Sequence, residues 1–354
     1  MPPRSSTSDF MQAYRAPWWL PGGNLQTIWP ALYGRRTRGP VPEYRRERLP
    51  TPDGDFVDLD YLANDVSRRR PLIVLFHGLE GSSRSHYSEA FADVAWRGKL
   101  TYVVPHFRSC SGEMNLAPRA YHSGDYEEIG WILGRIREMH QGPIVAVGVS
   151  LGGNALLRWA GEMGESASRV VSAVASVCSP LDLAAGGHAI DRGFNRMVYA
   201  AMFLRVLKPK ALVKWAQHPG LFDIDALMKA RDIYEFDRIF TAPVHGFTSV
   251  EDYWAKASAK PHLHRIRIPT LALNALNDPF IPSFSLARPE EVGPWVTLWQ
   301  PPHGGHVGFP AGSPPGHVLA MPEAVTAWLL KASGITPRVP AQWPSAPMTV
   351  PAAL

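Results

Sequence analysis

The chain has 354 residues, 36 Lys and Arg against 31 Asp and Glu, and a formal charge of +5 at neutral pH. Hydrophobic residues make up 45 % and charged residues 19 %, which excludes a low-complexity or natively disordered chain. The basic residues fall in short groups beside turns (Arg35-Arg36, Arg45-Arg46, Arg68-Arg69-Arg70), a solvated surface and not a nucleic-acid-binding face.

Two cysteines, Cys110 and Cys178, cannot form a disulfide framework and are read as reduced and packed. The first residues carry Arg4, Asp9 and Arg15 and no apolar leader. No stretch reaches the ~18 consecutive apolar residues of a membrane span; Val198 to Leu207 comes nearest and is broken by Arg205. A soluble, cytoplasmic protein is the expectation.

Residues 1–13 are polar and read as loose. Pro17-Trp18-Trp19-Leu20 and Leu25-Gln26-Thr27-Ile28-Trp29-Pro30 are dense in aromatics and read as packed on the body, with peripheral membrane contact through Trp18 and Trp19 as the alternative. From Glu43 to Leu62, Pro52-Asp53-Gly54 separates two extended runs; Val57, Leu59 and Tyr61 alternate with Asp58 and Asp60, the period of a half-buried strand in a hairpin.

A βα rhythm follows. Leu72–Phe76 is a continuous apolar run, the mark of a strand buried on both faces. Tyr87, Phe91, Val94 and Ala95 fit a helix over His86–Arg97, and Tyr102–Val104 gives another strand. Tyr126, Ile129, Leu133 and Ile136 recur at helical spacing behind Asp125, the expected cap. Ile144–Val147 is a strand with an amphipathic helix after it (Ala155, Leu156, Trp159, Ala160, Met163); Val174–Cys178, Thr270–Leu273 and Val296–Trp299 are further strands. This alternation predicts an α/β fold with a mostly parallel sheet covered on both faces. Between Cys178 and Thr270 no buried strand is evident, and helical patterns with many aromatics read as an insertion over one end of the sheet. Val325, Trp328 and Leu329 belong to a last helix, bracketed by Pro322 and Gly334.

The strongest chemical signal is Gly148-Val149-Ser150-Leu151-Gly152, lying between a buried strand and an amphipathic helix. That context defines a nucleophile elbow, in which glycines permit a turn sharp enough to lift the serine hydroxyl above the sheet. A serine nucleophile needs a base, itself oriented by an acid, in the chain order Ser, Asp or Glu, His. Asp278, in Asn277-Asp278-Pro279, and His306, in His303-Gly304-Gly305-His306-Val307-Gly308-Phe309, satisfy that order, each in a loop after a strand, where sites on open α/β sheets gather. Asp182 and His303 are the competing acid and base. Oxyanion donors are assigned to the backbone amides of Leu151 and of Leu79, in His77-Gly78-Leu79-Glu80-Gly81, with His77 orienting that loop. No cysteine pair or helical histidine pair has metal-ligand spacing, and no nucleotide fingerprint is present, so neither metal nor cofactor is expected.

These residues, with Tyr121-His122-Ser123-Gly124 and the N-terminal Pro-Trp-Trp-Leu and Leu-Gln-Thr runs, resemble the YheT-like branch of the α/β-hydrolase superfamily from about Tyr14 to about Lys331. The resemblance implies an α/β-hydrolase fold and a Ser-Asp-His hydrolase of carboxylic esters (short- to medium-chain acyl esters or acylglycerols), mapping to Ser150, Asp278 and His306; relatives include short-chain esterases, acylglycerol lipases and alcohol acyltransferases. Two positions depart from the family pattern: Asn24 stands where relatives have histidine, and Ser109 where they have glycine. The expected organisation is an aromatic segment over 1–40, a core over 41–180 and 263–334, a helical cap over 181–262 and a Pro-rich tail over 335–354. Acyl transfer to an alcohol through the same residues, and a non-catalytic binding protein keeping the fold, are the alternatives.

Overall fold

The computed structural model describes residues 14–63 and 67–336; the expectations for residues 1–13 and for the tail beyond residue 336 fall outside them. The hairpin pairs β1 (Tyr44–Pro50) with β2 (Phe56–Leu62), from Tyr44 opposite Leu62 to Pro50 opposite Phe56. After it come β3 (Leu72–Phe76), β4 (Thr101–Pro105), β5 (Ile144–Val149), β6 (Ala173–Val177), β7 (Thr270–Leu273) and β8 (Val296–Trp299). They form one eight-stranded sheet in the order β1-β2-β4-β3-β5-β6-β7-β8. The pairs β1–β2 and β2–β4 are antiparallel, and every pair from β4 to β8 is parallel.

The longer helices are α1 (Gly22–Tyr33), α2 (His86–Gly98), α3 (Tyr126–Met139), α4 (Leu151–Met163), α5 (Leu183–Ile190), α6 (Ala201–Gln217), α7 (Val250–Ala257) and α8 (Ala320–Ala332). Side chains alternate across a strand, so β3 splits its fully buried residues between two cores. Leu72, Val74 and Phe76 join Ile129, Leu133, Leu156 and Ala160 of α3 and α4. Ile73 and Leu75 join Phe91 and Ala95 of α2 and Val325 and Leu329 of α8. Each such Val, Leu or Ile contributes roughly 1.5–3 kcal/mol of burial free energy, which is why the parallel strands read as unbroken apolar runs.

Three local expectations are corrected. Asp58 and Asp60 are buried, not solvent-facing. Arg48 forks onto Asp58 and Arg46 onto Asp60, while Ser83 and His106 also donate to Asp60. Burial alone would raise the Asp60 carboxyl, but the hydrogen bonds from His106, Arg46 and Ser83 outweigh it and hold it far below the usual carboxylate range. Asp125 precedes α3 but caps nothing with its side chain, which takes Arg119 instead. Trp18 is 91 % exposed: the turn closed by Leu20 N–H on the Pro17 carbonyl sends Leu20 inward and Trp18 outward. Trp19 does pack, edge-on to Trp29 and donating to the Gly312 carbonyl.

Between β6 and β7 every described element is helical. Asn154 of α4 ties the end of this stretch to the core, donating to the Ala257 carbonyl and accepting from Ala259 N–H. Among the described residues no helix is long and apolar enough to cross a membrane.

Candidate active site

Ser150 joins β5 to α4 with φ 52° and ψ −120°, a left-handed, strained conformation of the kind that costs of order 1–3 kcal/mol and is held only by its surroundings. Here those surroundings are two glycines. A Cβ at residue 148 would sit 2.4 Å from Gly153 Cα, and one at residue 152 would sit 2.5 Å from the carbonyl oxygens of Phe76 and His77. The serine hydroxyl therefore stands at the carboxyl end of the central strand, just ahead of the α4 N-terminus.

The loop after β8 brings His306 to it. His306 Nε2 lies 3.0 Å from Ser150 Oγ, and Nδ1 lies 2.9 Å from Asp278 Oδ2. The Asp278 side chain has no exposure, and its second oxygen accepts from Phe280 N–H at 2.8 Å. The Phe280 ring lies against the imidazole, 4.2 Å between centroids. Neither competitor joins this chain of contacts: Asp182 caps α5, accepting from Ala185 N–H, and His303 is not hydrogen-bonded to Ser150 among the described residues.

Behind the pair, Cys178 Sγ accepts from Val307 N–H at 3.3 Å. The ligand atoms of Cys178, Asp278 and His306 lie within 4.8 Å of one another, close enough to hold a metal ion. Such an ion would need the thiolate, and burial, reinforced by the Asp278 charge, pushes this thiol far up. All three ligand atoms are already engaged within the protein: the sulfur by Val307 N–H, and Asp278 and His306 by one another.

The second loop is set by His77, which is fully buried; burial, with His106 nearby, lowers it to about 3 and keeps the ring neutral. Phe107 N–H donates to His77 Nε2, so the ring proton is on Nδ1 and is given to the Gly78 carbonyl at 2.7 Å. In a trans peptide N–H and C=O point in opposite directions, so pinning the Gly78 oxygen aims Leu79 N–H the other way. Among the described residues, neither Leu79 N–H nor Leu151 N–H has a protein acceptor. Leu79 and Leu151 line both of the cavities described next.

Two adjoining cavities meet at this point. The one containing Ser150 and His306 is walled by Leu183, Ile190, Phe203, Trp254, Phe280 and Ile281. The other carries polar groups as well, among them Glu80, His122, Lys210, Lys214 and Thr241. Asp237 lines both. Burial pushes its carboxyl up to about 6 although Thr241 and Trp254 donate to it. In an unfolded chain the same group ionises near pH 4, so its contribution to stability is complete below pH 4 and is lost as pH rises through 6. Asp237→Asn should remove about 2–3 kcal/mol of the stability lost between pH 4 and pH 8, measured by urea unfolding at the two pH values.

One set of positioning residues carries no chemical signature in the sequence. Three successive amides of the histidine loop are each held by a side chain: Gly304 N–H by Gln26 Oε1, Gly305 N–H by Asn277 Oδ1 and His306 N–H by Thr27 Oγ1. Gln26 Oε1 also accepts from Asn277 Nδ2. Gly305 has φ 61°, and a Cβ there would strike Gly23 O and Thr27 Oγ1 at 2.7 Å. Leu25-Gln26-Thr27 carries the family resemblance, but nothing local in it points to these hydrogen-bond partners. The two departures are benign in form: Asn24 accepts from Tyr199 OH at 2.9 Å, and Ser109 takes the left-handed conformation itself, φ 68°, with Oγ on Asn115.

Residues 71–312 match the family described as alpha/beta hydrolase fold. The chain is 40 % identical over 294 residues to the candidate esterase YheT of Escherichia coli strain K12, covering 82 % of this chain and 85 % of that one. It is 30 % identical over 288 residues to human phospholipase ABHD3, covering 78 % and 69 %. In fold it is similar to an esterase of Pyrococcus furiosus, with a TM-score of 0.50 and 14 % identity over 84 % of this chain and 97 % of that one. With the sheet order, the elbow and these matches together, the chain belongs to the alpha/beta hydrolase fold family and, within it, to the YheT-like branch.

Proposed function

We propose that the protein hydrolyses small carboxylic esters with Ser150 as nucleophile, His306 as base and Asp278 as the group that orients and stabilises the imidazole. The reading rests on one observation above the others: the unbroken Ser150–His306–Asp278 chain of contacts at 3.0 and 2.9 Å at the edge of an apolar cavity. Ser150 Oγ attacks the ester carbonyl as its proton passes to His306 Nε2. The C–O double bond opens to an oxyanion facing the Leu79 and Leu151 amides, and the imidazolium is stabilised by Asp278. Collapse expels the alcohol, which takes the proton back from Nε2. Water, deprotonated by the same nitrogen, then releases the acid and restores Ser150.

The helical segment 181–262 acts as a cap whose apolar side chains receive the acyl chain, and the more polar adjoining cavity receives the alcohol moiety. A series of p-nitrophenyl esters from acetate to palmitate tests this division. The account expects a short- to medium-chain optimum that Phe203→Ala, by lengthening the apolar cavity, moves at least two carbons upward. An unmoved optimum would detach the acyl chain from this cavity.

The histidine-loop clamp adds a second expectation. Thr27→Val keeps the shape but leaves His306 N–H without its acceptor, a loss of about 1–3 kcal/mol. An imidazole displaced by up to an ångström should lower kcat as much as 10²-fold, with KM nearly unchanged, as read by steady-state turnover of p-nitrophenyl butyrate. A raised KM with kcat unchanged would assign Thr27 to substrate binding instead.

A further inference from the structure

The helical turns Gly193–Asn195 and Arg196–Ala200 run directly into α6, giving about 25 residues, roughly 37 Å at 1.5 Å per residue, with two different apolar faces. One points into the protein: Tyr199, Leu204 and Ala211 are buried, and Phe203 and Leu207 line the two cavities. The opposite face carries Met197 (72 % exposed), Val198, Met202, Val206, Leu212 and Val213, all exposed; Val198, Met202, Val206 and Val213, four and seven residues apart, form one helix stripe, with Met197 and Leu212 beside it. An apolar stripe left exposed on a helix whose other face is already packed marks an interaction site.

Charge identifies what covers it. From Arg192 to Phe222 the sequence holds Arg192, Arg196, Arg205, Lys208, Lys210 and Lys214 and no carboxylate. Lys210 and Lys214 face inward, and Arg196 pairs with Asp232. Arg192 and Arg205 are exposed and have no ion-pair partner among the described residues. Arg205 rises from the apolar stripe itself. A second copy of the chain seated on this face across a two-fold axis would set these cations against themselves with no acid from the same segment to answer them. A stripe of Met, Val and Leu fringed by arginine is instead the composition of a helix lying in the plane of a lipid interface, apolar side chains in the acyl boundary and guanidinium groups among anionic headgroups.

We propose that this helix docks the protein on an anionic lipid surface. Docking does not depend on the catalytic reading; its consequence does, because the same helix separates the lipid layer from the cavity that holds Ser150, giving an ester in that layer a short path to the serine.

The test is co-sedimentation of the full chain with vesicles of phosphatidylglycerol and of phosphatidylcholine. The wild type should bind phosphatidylglycerol at least tenfold more tightly than phosphatidylcholine and release it in high salt. Met202→Glu/Val206→Glu/Val213→Glu should lose tenfold or more of that binding with p-nitrophenyl butyrate turnover unchanged. Arg192→Glu/Arg205→Glu, which leaves the apolar stripe intact, should lose the preference for the anionic vesicle. Ser150→Ala should bind as the wild type does, so that a failed catalytic reading would not be mistaken for failed docking. Absence of wild-type binding to phosphatidylglycerol, or binding retained at the wild-type level by both variants, would overturn the proposal. So would a solution dimer that the triple variant splits, which would make the stripe a contact between copies.

Discussion

Ser150→Ala should lower kcat/KM for p-nitrophenyl butyrate by about 10⁵- to 10⁶-fold, the scale on which serine hydrolases fail when the nucleophile is removed, while thermal unfolding stays within a degree or two. Activity has only one nucleophile in this account: His306 Nε2 is aimed at Ser150 Oγ, and His303 and Asp182 have no place in the contact chain. The stability half of the expectation comes from the backbone. Strain at φ 52° is borne by the approach of Gly148 and Gly152 to their neighbours, which alanine at 150 leaves intact. A variant retaining a tenth of the activity would mean that another group attacks the ester.

Asp278→Asn is expected to cost about 10³- to 10⁴-fold in kcat at neutral pH, through a change of tautomer. One carboxylate oxygen accepts from Phe280 N–H and the other faces His306 Nδ1. An asparagine that keeps its oxygen on Phe280 N–H must turn its NH2 toward Nδ1. The imidazole proton then moves to Nε2, which can no longer accept from the serine hydroxyl. Since the defect lies in base strength and orientation and not in substrate contact, KM should change by less than about threefold. A loss carried mainly by KM would assign Asp278 to binding.

The sheet was legible because its chemistry is simple. Five of the six parallel strands, such as Leu72–Phe76 and Ile144–Val149, are buried along their whole length and are therefore almost wholly apolar, and helical spacing between them fixes the alternation. The elbow was legible because its tight backbone approach tolerates only glycine at 148 and 152. Asp58 and Asp60 misled because period-two alternation reports polarity and not exposure; arginines and a histidine distant in sequence bury those carboxylates. The same limit hid Gln26 and Thr27. Their role is to accept from loop amides some 280 residues away, and no local pattern encodes such a partner. Trp18 and Trp19 were read as a unit, yet one turn sends them to different environments.

Mass spectrometry after reaction with a fluorophosphonate probe tests the central claim most directly. The account predicts a single phosphonyl adduct on the peptide carrying Ser150, absent in Ser150→Ala and strongly slowed in His306→Ala, which should retain the fold. An adduct at another residue, or undiminished ester hydrolysis without any adduct at Ser150, would contradict it.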